Sequence, residues 1–164
     1  MTAASPPEIV LDVRDLVTHF ATRTGIVKAV DGVSCRVKRG KTLCVVGESG
    51  SGKSVTARSI LQIVDAPGRI VSGAMVLNRP DGTSVDLAAL HPRGREIRAV
   101  RGAEIAMIFQ EPMSSLSPVH TVGDQIVEVL RLHRGLDKKA ARERTIELLT
   151  QVEIPSPARA IDRY

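Results

Sequence analysis

The octet Gly47-Glu48-Ser49-Gly50-Ser51-Gly52-Lys53-Ser54 satisfies the pattern G-x-x-x-x-G-K-[ST] at every fixed position. Glycines let the backbone turn through conformations closed to other residues and let amide N–H groups come close to an anion. A helix starting at about Gly52 or Lys53 adds unpaired first-turn N–H groups and the positive end of its dipole, both of which favour bound phosphate. Lys53 then supplies a mobile cation for the outer phosphates. Ser54 supplies a hydroxyl for Mg2+, which keeps several waters and bridges to phosphate oxygens. The chemistry on offer is that of a nucleotide phosphate site.

Such a loop works only between a strand and a helix. Upstream lies "TLCVV", residues 42–46, an apolar and β-branched run expected to form a buried parallel strand. Downstream, "SVTARSILQIV" places Val55, Ala57, Ile60, Leu61 and Val64 at helical spacing. A Gly/Ser-rich linker that happens to contain a lysine has neither flank. A second expected strand, "EIAMIF" (104–109), ends on Gln110 rather than on an acid. A neutral amide at a strand end can hydrogen-bond a water or enter a magnesium shell through its carbonyl, which suits a sensor of bound phosphate.

The remaining composition narrows the classes. At 164 residues, 43% hydrophobic and 25% charged, the chain has the make-up of one ordinary globular domain. Its net charge of +5 is scattered along the sequence, and only two Phe and one Tyr are available to stack on bases, which argues against nucleic acid. A basic surface beside anionic lipid headgroups accounts for the charge as well. No apolar run reaches the length of a membrane span, and the first ten residues lack a basic segment followed by an apolar core. Cys35 and Cys44 lie in strand-like stretches without metal-ligand spacing and are expected to be reduced and buried. His19, His91, His120 and His133 are isolated by spacing.

Alternation predicts antiparallel strands over "EIVLDVRDLVTHF" and "IVKAVDGVSCRV", and a strand pair or bend over "GRIVSGAMVL". Residues 79–102 form a charged excursion with a short helix near Leu87 to Leu90. Two helices are expected near the end, one beginning at Thr121 or Gly123 and one with Asp137 as its N-cap.

Taken together, "AVDGVSCRVKRGKTLCVVGESGSGKSV" and "IAMIFQEPMSSLSP" resemble the ATP-binding subunits of ATP-binding-cassette (ABC) transporters, in particular the dipeptide, oligopeptide and nickel importer branch, over about residues 9–164. The resemblance implies an α/β P-loop NTPase with a RecA-like core, an N-terminal antiparallel β-subdomain and the start of a helical subdomain. It implies a flexible tail over 1–8, a β-subdomain plus partial ATP-binding core over 9–112, and a glutamine loop with partial helical subdomain over 113–164. Carried over by position, Phe20 corresponds to the aromatic that stacks on adenine, residues 47–54 to the phosphate loop, and Val55 or Thr56 to the nucleotide edge. Gln110 corresponds to the glutamine that reports the γ-phosphate and magnesium, with Ser54 and Gln110 as the magnesium side chains and Lys53 and Gln110 as the catalytic contributors. The implied cofactors are ATP and Mg2+. The implied partners are transmembrane permease subunits and a second ATP-binding subunit, at the cytoplasmic face of the inner membrane, with no direct solute contact.

The departures from the family pattern matter as well. The LSGGQ-type signature, the acid-ended Walker B strand with its catalytic Glu and the switch histidine do not occur in these residues. The chain is therefore expected to be the N-terminal part of a nucleotide-binding domain, inactive in hydrolysis by itself. Alternatives that keep the phosphate loop are a non-transport ABC-type ATPase and a P-loop small-molecule kinase, whose lid arginines could be only Arg93, Arg95, Arg98 and Arg101. A GTPase is disfavoured because "NRPD" (78–81) has Arg where the guanine-reading motif needs Lys.

Overall fold

In the computed structural model, which describes residues 7–110 and 116–164, β1 (Ile9–Thr22) and β2 (Gly25–Lys38) form a long antiparallel hairpin, closed by Arg23 and Thr24. The chain divides into two compact units, Met1–Arg101 and Gly102–Tyr164.

In the first unit the sheet runs β2-β1-β3-β4, antiparallel throughout, with β3 at Gly68–Asn78 and β4 at Ser84–Asp86. The burial of β1 changes phase partway along. Leu11 and Val13 are buried, then Leu16 and Thr18. Between them the register slips and Asp15 takes φ 45°, a bulge that moves the inward face from odd to even positions. β3 answers the bulge with Gly73 at φ 103°, where a Cβ would lie 2.6 Å from Leu16 Cα. The segment expected to be a strand pair or bend is thus a single strand, because glycine absorbs the kink without ending the pairing.

Helix α1 (Lys53–Ile60) lies against this sheet. The core collects Leu11, Val13, Leu16, Val30, Leu61, Met75, Leu77, Leu87, Ile97 and Val100. Each such burial contributes about 1.5–3 kcal/mol before entropy is charged against it. Within the charged excursion the structure has a 3-10 turn at Leu87–Ala89 and a helix, α2, at Arg95–Val100. Ile97 and Val100, three apart, are its buried face. Arg101 ties the excursion to the turn after α1, donating to Leu61 O at 2.8 Å, Gln62 O at 2.8 Å and Pro92 O at 3.0 Å. Gln62 returns the link through Nε2, which donates to Leu87 O and Leu90 O. This arginine is spent on backbone carbonyls.

Three expectations are corrected. Residues 42–46 and 104–109 are not strands: the first run has no secondary structure, and the second only an isolated bridge residue at Ile105. Val46 is 89% and Ile108 94% exposed. A parallel strand takes its hydrogen bonds from neighbouring strands, and among the described residues none pairs with either run. Cys44, carried by the first run, is accordingly exposed, and Cys35 is half-buried.

The second unit packs α3 (Val122–Arg134) with α4 (Lys138–Gln151), followed by the short α5 (Pro157–Ala160). The caps expected from sequence are in place. Thr121 Oγ1 accepts from Asp124 N at 3.0 Å and Asp137 Oδ1 from Ala140 N at 2.8 Å, each cap contributing about 1 kcal/mol. Gly135 ends α3 at φ 65°. Ala141, Thr145 and Leu149, spaced by four, are the buried stripe of α4. Gly123 lets the backbone close on Ile161, whose carbonyl accepts the Gly123 N–H at 2.8 Å. Of the stretch 113–118, residues 113–115 lie outside the described residues, as do Glu111 and Pro112.

One ion cluster gives the sheet an acid-sensitive element. Buried Asp12 accepts from Arg14 Nη2 at 2.6 Å and Arg36 Nε at 3.2 Å. The Arg14 hydrogen bond, reinforced by Arg36 and by the charge of both, outweighs burial and holds the carboxyl below its ordinary range. A depressed carboxyl favours the folded state fully above its unfolded value of about 3.9 and loses that contribution as pH falls through the lower folded value. Urea midpoints measured from pH 6 to pH 3 should therefore fall more steeply for the natural chain than for Asp12→Asn. Equal slopes would show that the cluster does not couple to folding.

Candidate functional site

Helix α1 differs from α3 and α4 at its start. Its N-cap is Gly52 at φ 89°, with no side chain capping the first turn. The N–H groups of a first helical turn have no partner inside the helix. Among the described residues no backbone acceptor is found for the amides of Gly50, Gly52, Lys53 or Ser54, whereas Ser51 N is used locally, donating to Glu48 O at 3.2 Å. The loop 47–52 folds back over this helix end. Lys53 Nζ donates to Gly47 O at 2.7 Å, Glu48 O at 2.6 Å and Ser51 Oγ at 3.2 Å. All three neighbours are neutral oxygens, so this ring of contacts holds the ammonium without neutralising it.

Glycine is required at two points of this loop. A Cβ on Gly47 would stand 2.7 Å from Ser51 Oγ and 4.0 Å from Lys53 Nζ, filling the concavity over the lysine. A Cβ on Gly52 would stand 2.2 Å from Ala29 O, because the loop is pressed onto β2. Free amides, an unneutralised cation and a hollow that any side chain would fill are together a fit for phosphate oxygens. Ser54 is exposed at the same helix end, with its hydroxyl one residue from the lysine. Val55, half-buried, follows it, and Thr56 Oγ1 bonds back to Gly52 O at 3.0 Å.

Phe20 lies near the end of β1, paired with Val27 of β2 and Gly68 of β3. It is half-buried. A Cβ on Gly68 would meet Phe20 Cε1 at 2.6 Å and Val64 Cγ1 at 2.5 Å, so the ring rests on a position that only glycine leaves open. Gln110 belongs to the second unit and is exposed. The structure thus gathers the phosphate loop, α1 and the β1 end within one unit, and carries Gln110 in the other. Among the described residues there is no group of three or more His, Cys, Asp or Glu side chains able to hold a metal.

Two connections of this site went unread in the sequence. Thr18 Oγ1 and Ser59 Oγ meet at 2.9 Å between β1 and α1, both fully buried. Their signal was slight, a hydroxyl at an inward strand position and another inside a helix. Arg101, described above, had none beyond its place in an arginine-rich run.

Comparison with known proteins matches residues 30–164 to the family described as ABC transporter. The chain is 44% identical to the glutathione import ATP-binding protein of Pectobacterium atrosepticum, over 97% of this chain and 25% of that protein. It is 45% identical to the dipeptide transport ATP-binding protein of Haemophilus influenzae, over 94% of this chain and 44% of that one. The corresponding Escherichia coli protein is 43% identical, over 94% of this chain and 45% of its own length. The chain thus spans a quarter to about half the length of these curated relatives. In fold it is similar to a dimeric bacterial ABC transporter cassette, with a TM-score of 0.75 at 21% identity, covering 93% of this chain and 60% of that one. A dimeric cassette bound to ADP and Pi is similar with a TM-score of 0.73 at 19% identity.

Proposed function

The chain belongs to the ABC transporter family, and from that premise we propose that it forms the nucleotide-binding part of an ATPase that powers an importer of peptides. The observation that carries the proposal is the loop 47–54, where free amides, Lys53 and the start of α1 converge on one hollow. In this reading residues 47–53 cradle the phosphates of ATP, with Val55 at the nucleotide edge. Ser54 would hold Mg2+, which would supply charge neutralisation at the phosphates. Gln110 carries the state of the site toward permease subunits. A second ATP-binding subunit completes the assembly, consistent with the dimeric cassettes that share the fold, and the dipeptide and glutathione importers among the relatives support a peptide cargo.

The protein would act at the inner face of the membrane as a peripheral subunit. Among the described residues no helix is long and apolar enough to cross a bilayer, so in this reading attachment comes from its partners. ATP binding does mechanical work there because a closed state contacts the terminal phosphate and an open state does not, which is the differential affinity that a population shift requires.

The test is a titration of the full chain with ATP and, separately, with inorganic triphosphate, repeated with Phe20→Ala. Both ligands should bind. Losing the ring should weaken ATP by about 1–3 kcal/mol, the usual range for base stacking on an aromatic, and leave triphosphate unchanged. Absence of ATP binding in the natural chain would overturn the nucleotide assignment, and equal losses for the two ligands would return Phe20 to the core.

A further inference from the structure

Thr18 and Ser59 are both 0% exposed, and their hydroxyl oxygens lie 2.9 Å apart. The direction of that hydrogen bond follows from a second contact. Ser59 Oγ is 2.7 Å from the carbonyl of Val55, which can only accept, so the single Ser59 proton goes there. Thr18 must therefore donate to Ser59. The result is a chain of two bonds, Thr18 O–H to Ser59 Oγ and Ser59 O–H to Val55 O, running from the middle of the sheet into the helix that begins at Lys53. Consecutive bonds of this kind strengthen one another, and their geometry is narrower than that of apolar contact.

Packing alone does not call for threonine at position 18. Valine has nearly the same shape, suits a strand as well and brings no polar atom into the core. The hydroxyl is a directional requirement added to a position where an apolar group would suffice.

Its location gives that direction a use. Thr18 is paired with Val30 on β2 and Ile70 on β3. Two residues on and on the same face of the strand comes Phe20, whose ring is seated on Gly68 beside Val64. On the other side, Gly52 presses on the carbonyl of Ala29, the neighbour of Val30. Helix α1 is thus fixed to the sheet at its N-cap through Gly52 and in its last turn through Ser59. The hydroxyl pair sits between the two parts of the site, about two strand residues from the ring and six helix residues from the lysine.

We propose that Thr18 and Ser59 are positioning residues that set the Phe20 ring relative to the phosphate loop, so that the hydroxyl pair governs the base-dependent part of nucleotide affinity. The inference rests on the nucleotide reading above. It concerns how tightly the adenine end is held once the phosphates are bound.

The experiment compares ATP and inorganic triphosphate binding by calorimetry for the natural chain, Thr18→Val, Thr18→Ser and Ser59→Ala, with thermal unfolding recorded for each. Thr18→Val should weaken ATP about three- to tenfold, the range of one hydrogen bond, with triphosphate affinity held within about twofold. Thr18→Ser, which keeps the donor, should restore ATP binding. Ser59→Ala should reproduce the ATP loss, and it carries the comparison if Thr18→Val does not fold. Parallel losses for the two ligands, no loss for either, or failure of Thr18→Ser to recover ATP binding would overturn the positioning role while leaving the nucleotide site intact. A natural chain that binds neither ligand would overturn the nucleotide reading itself and this inference with it.

Discussion

Lys53→Ala should remove most of the nucleotide affinity and leave the fold in place. The ammonium is the only cation in the ring of contacts inside the loop, and its neighbours there, the carbonyls of Gly47 and Glu48 and the Ser51 hydroxyl, are neutral. Removing it deletes charge-assisted hydrogen bonds to phosphate, worth about 1.5–3 kcal/mol, or roughly ten- to 150-fold in affinity. The loss falls on ATP and inorganic triphosphate alike, because the lysine serves the part they share. The three oxygens it leaves are at the surface and can bond water, so thermal unfolding should move by no more than a few degrees. Unchanged affinity in a titration would refute the assignment of the loop. A large drop in melting temperature would mean that Lys53 is there for structure.

Gly52→Ala should cost stability and binding together, and Gly50→Ala supplies the control. Both residues have φ near +85°, 89° at Gly52 and 82° at Gly50, where a side chain is strained by about 1–2 kcal/mol. They differ in surroundings. Around Gly50 an added Cβ finds nothing within 4 Å, whereas at Gly52 it lies 2.2 Å from the backbone oxygen of Ala29. A main-chain carbonyl in a paired strand cannot swing aside as a lysine tip would, so the loop or the strand must move. Gly50→Ala should lose about the strain alone, and Gly52→Ala more than about 3 kcal/mol along with the phosphate site. Similar melting temperatures for the two variants would show that the loop does not bear on β2.

The contrast between those glycines marks the boundary of what could be read from the residues. The octet revealed its chemistry because phosphate binding is local: one loop, one helix start, one lysine. The hairpin was legible because alternation is local too, and the helices because Thr121 and Asp137 are start signals independent of tertiary structure. What escaped depended on contacts distant in sequence. Helix α2 is built on two apolar residues, Ile97 and Val100, inside an arginine-rich run, and only the core against which they pack makes them a helix face. That Arg101 holds three carbonyls follows from where the chain returns, not from its type. Residues 42–46 and 104–109 show the opposite error. Their apolar, β-branched composition states a readiness to pair, but pairing is a property of two strands and propensity speaks for only one.

Those two runs carry a calorimetric consequence. Leu43, Val45, Val46, Ile108 and Phe109 range from 42% to 94% exposed, so their hydration contributes to the heat capacity of the folded chain as it ordinarily does only to that of an unfolded one. The folded and unfolded forms accordingly differ less than their length suggests, and the ΔG curve against temperature is flatter, with a shallower fall toward the cold. Any event that takes these side chains out of water must register as a negative heat-capacity change, whatever the sign of its enthalpy.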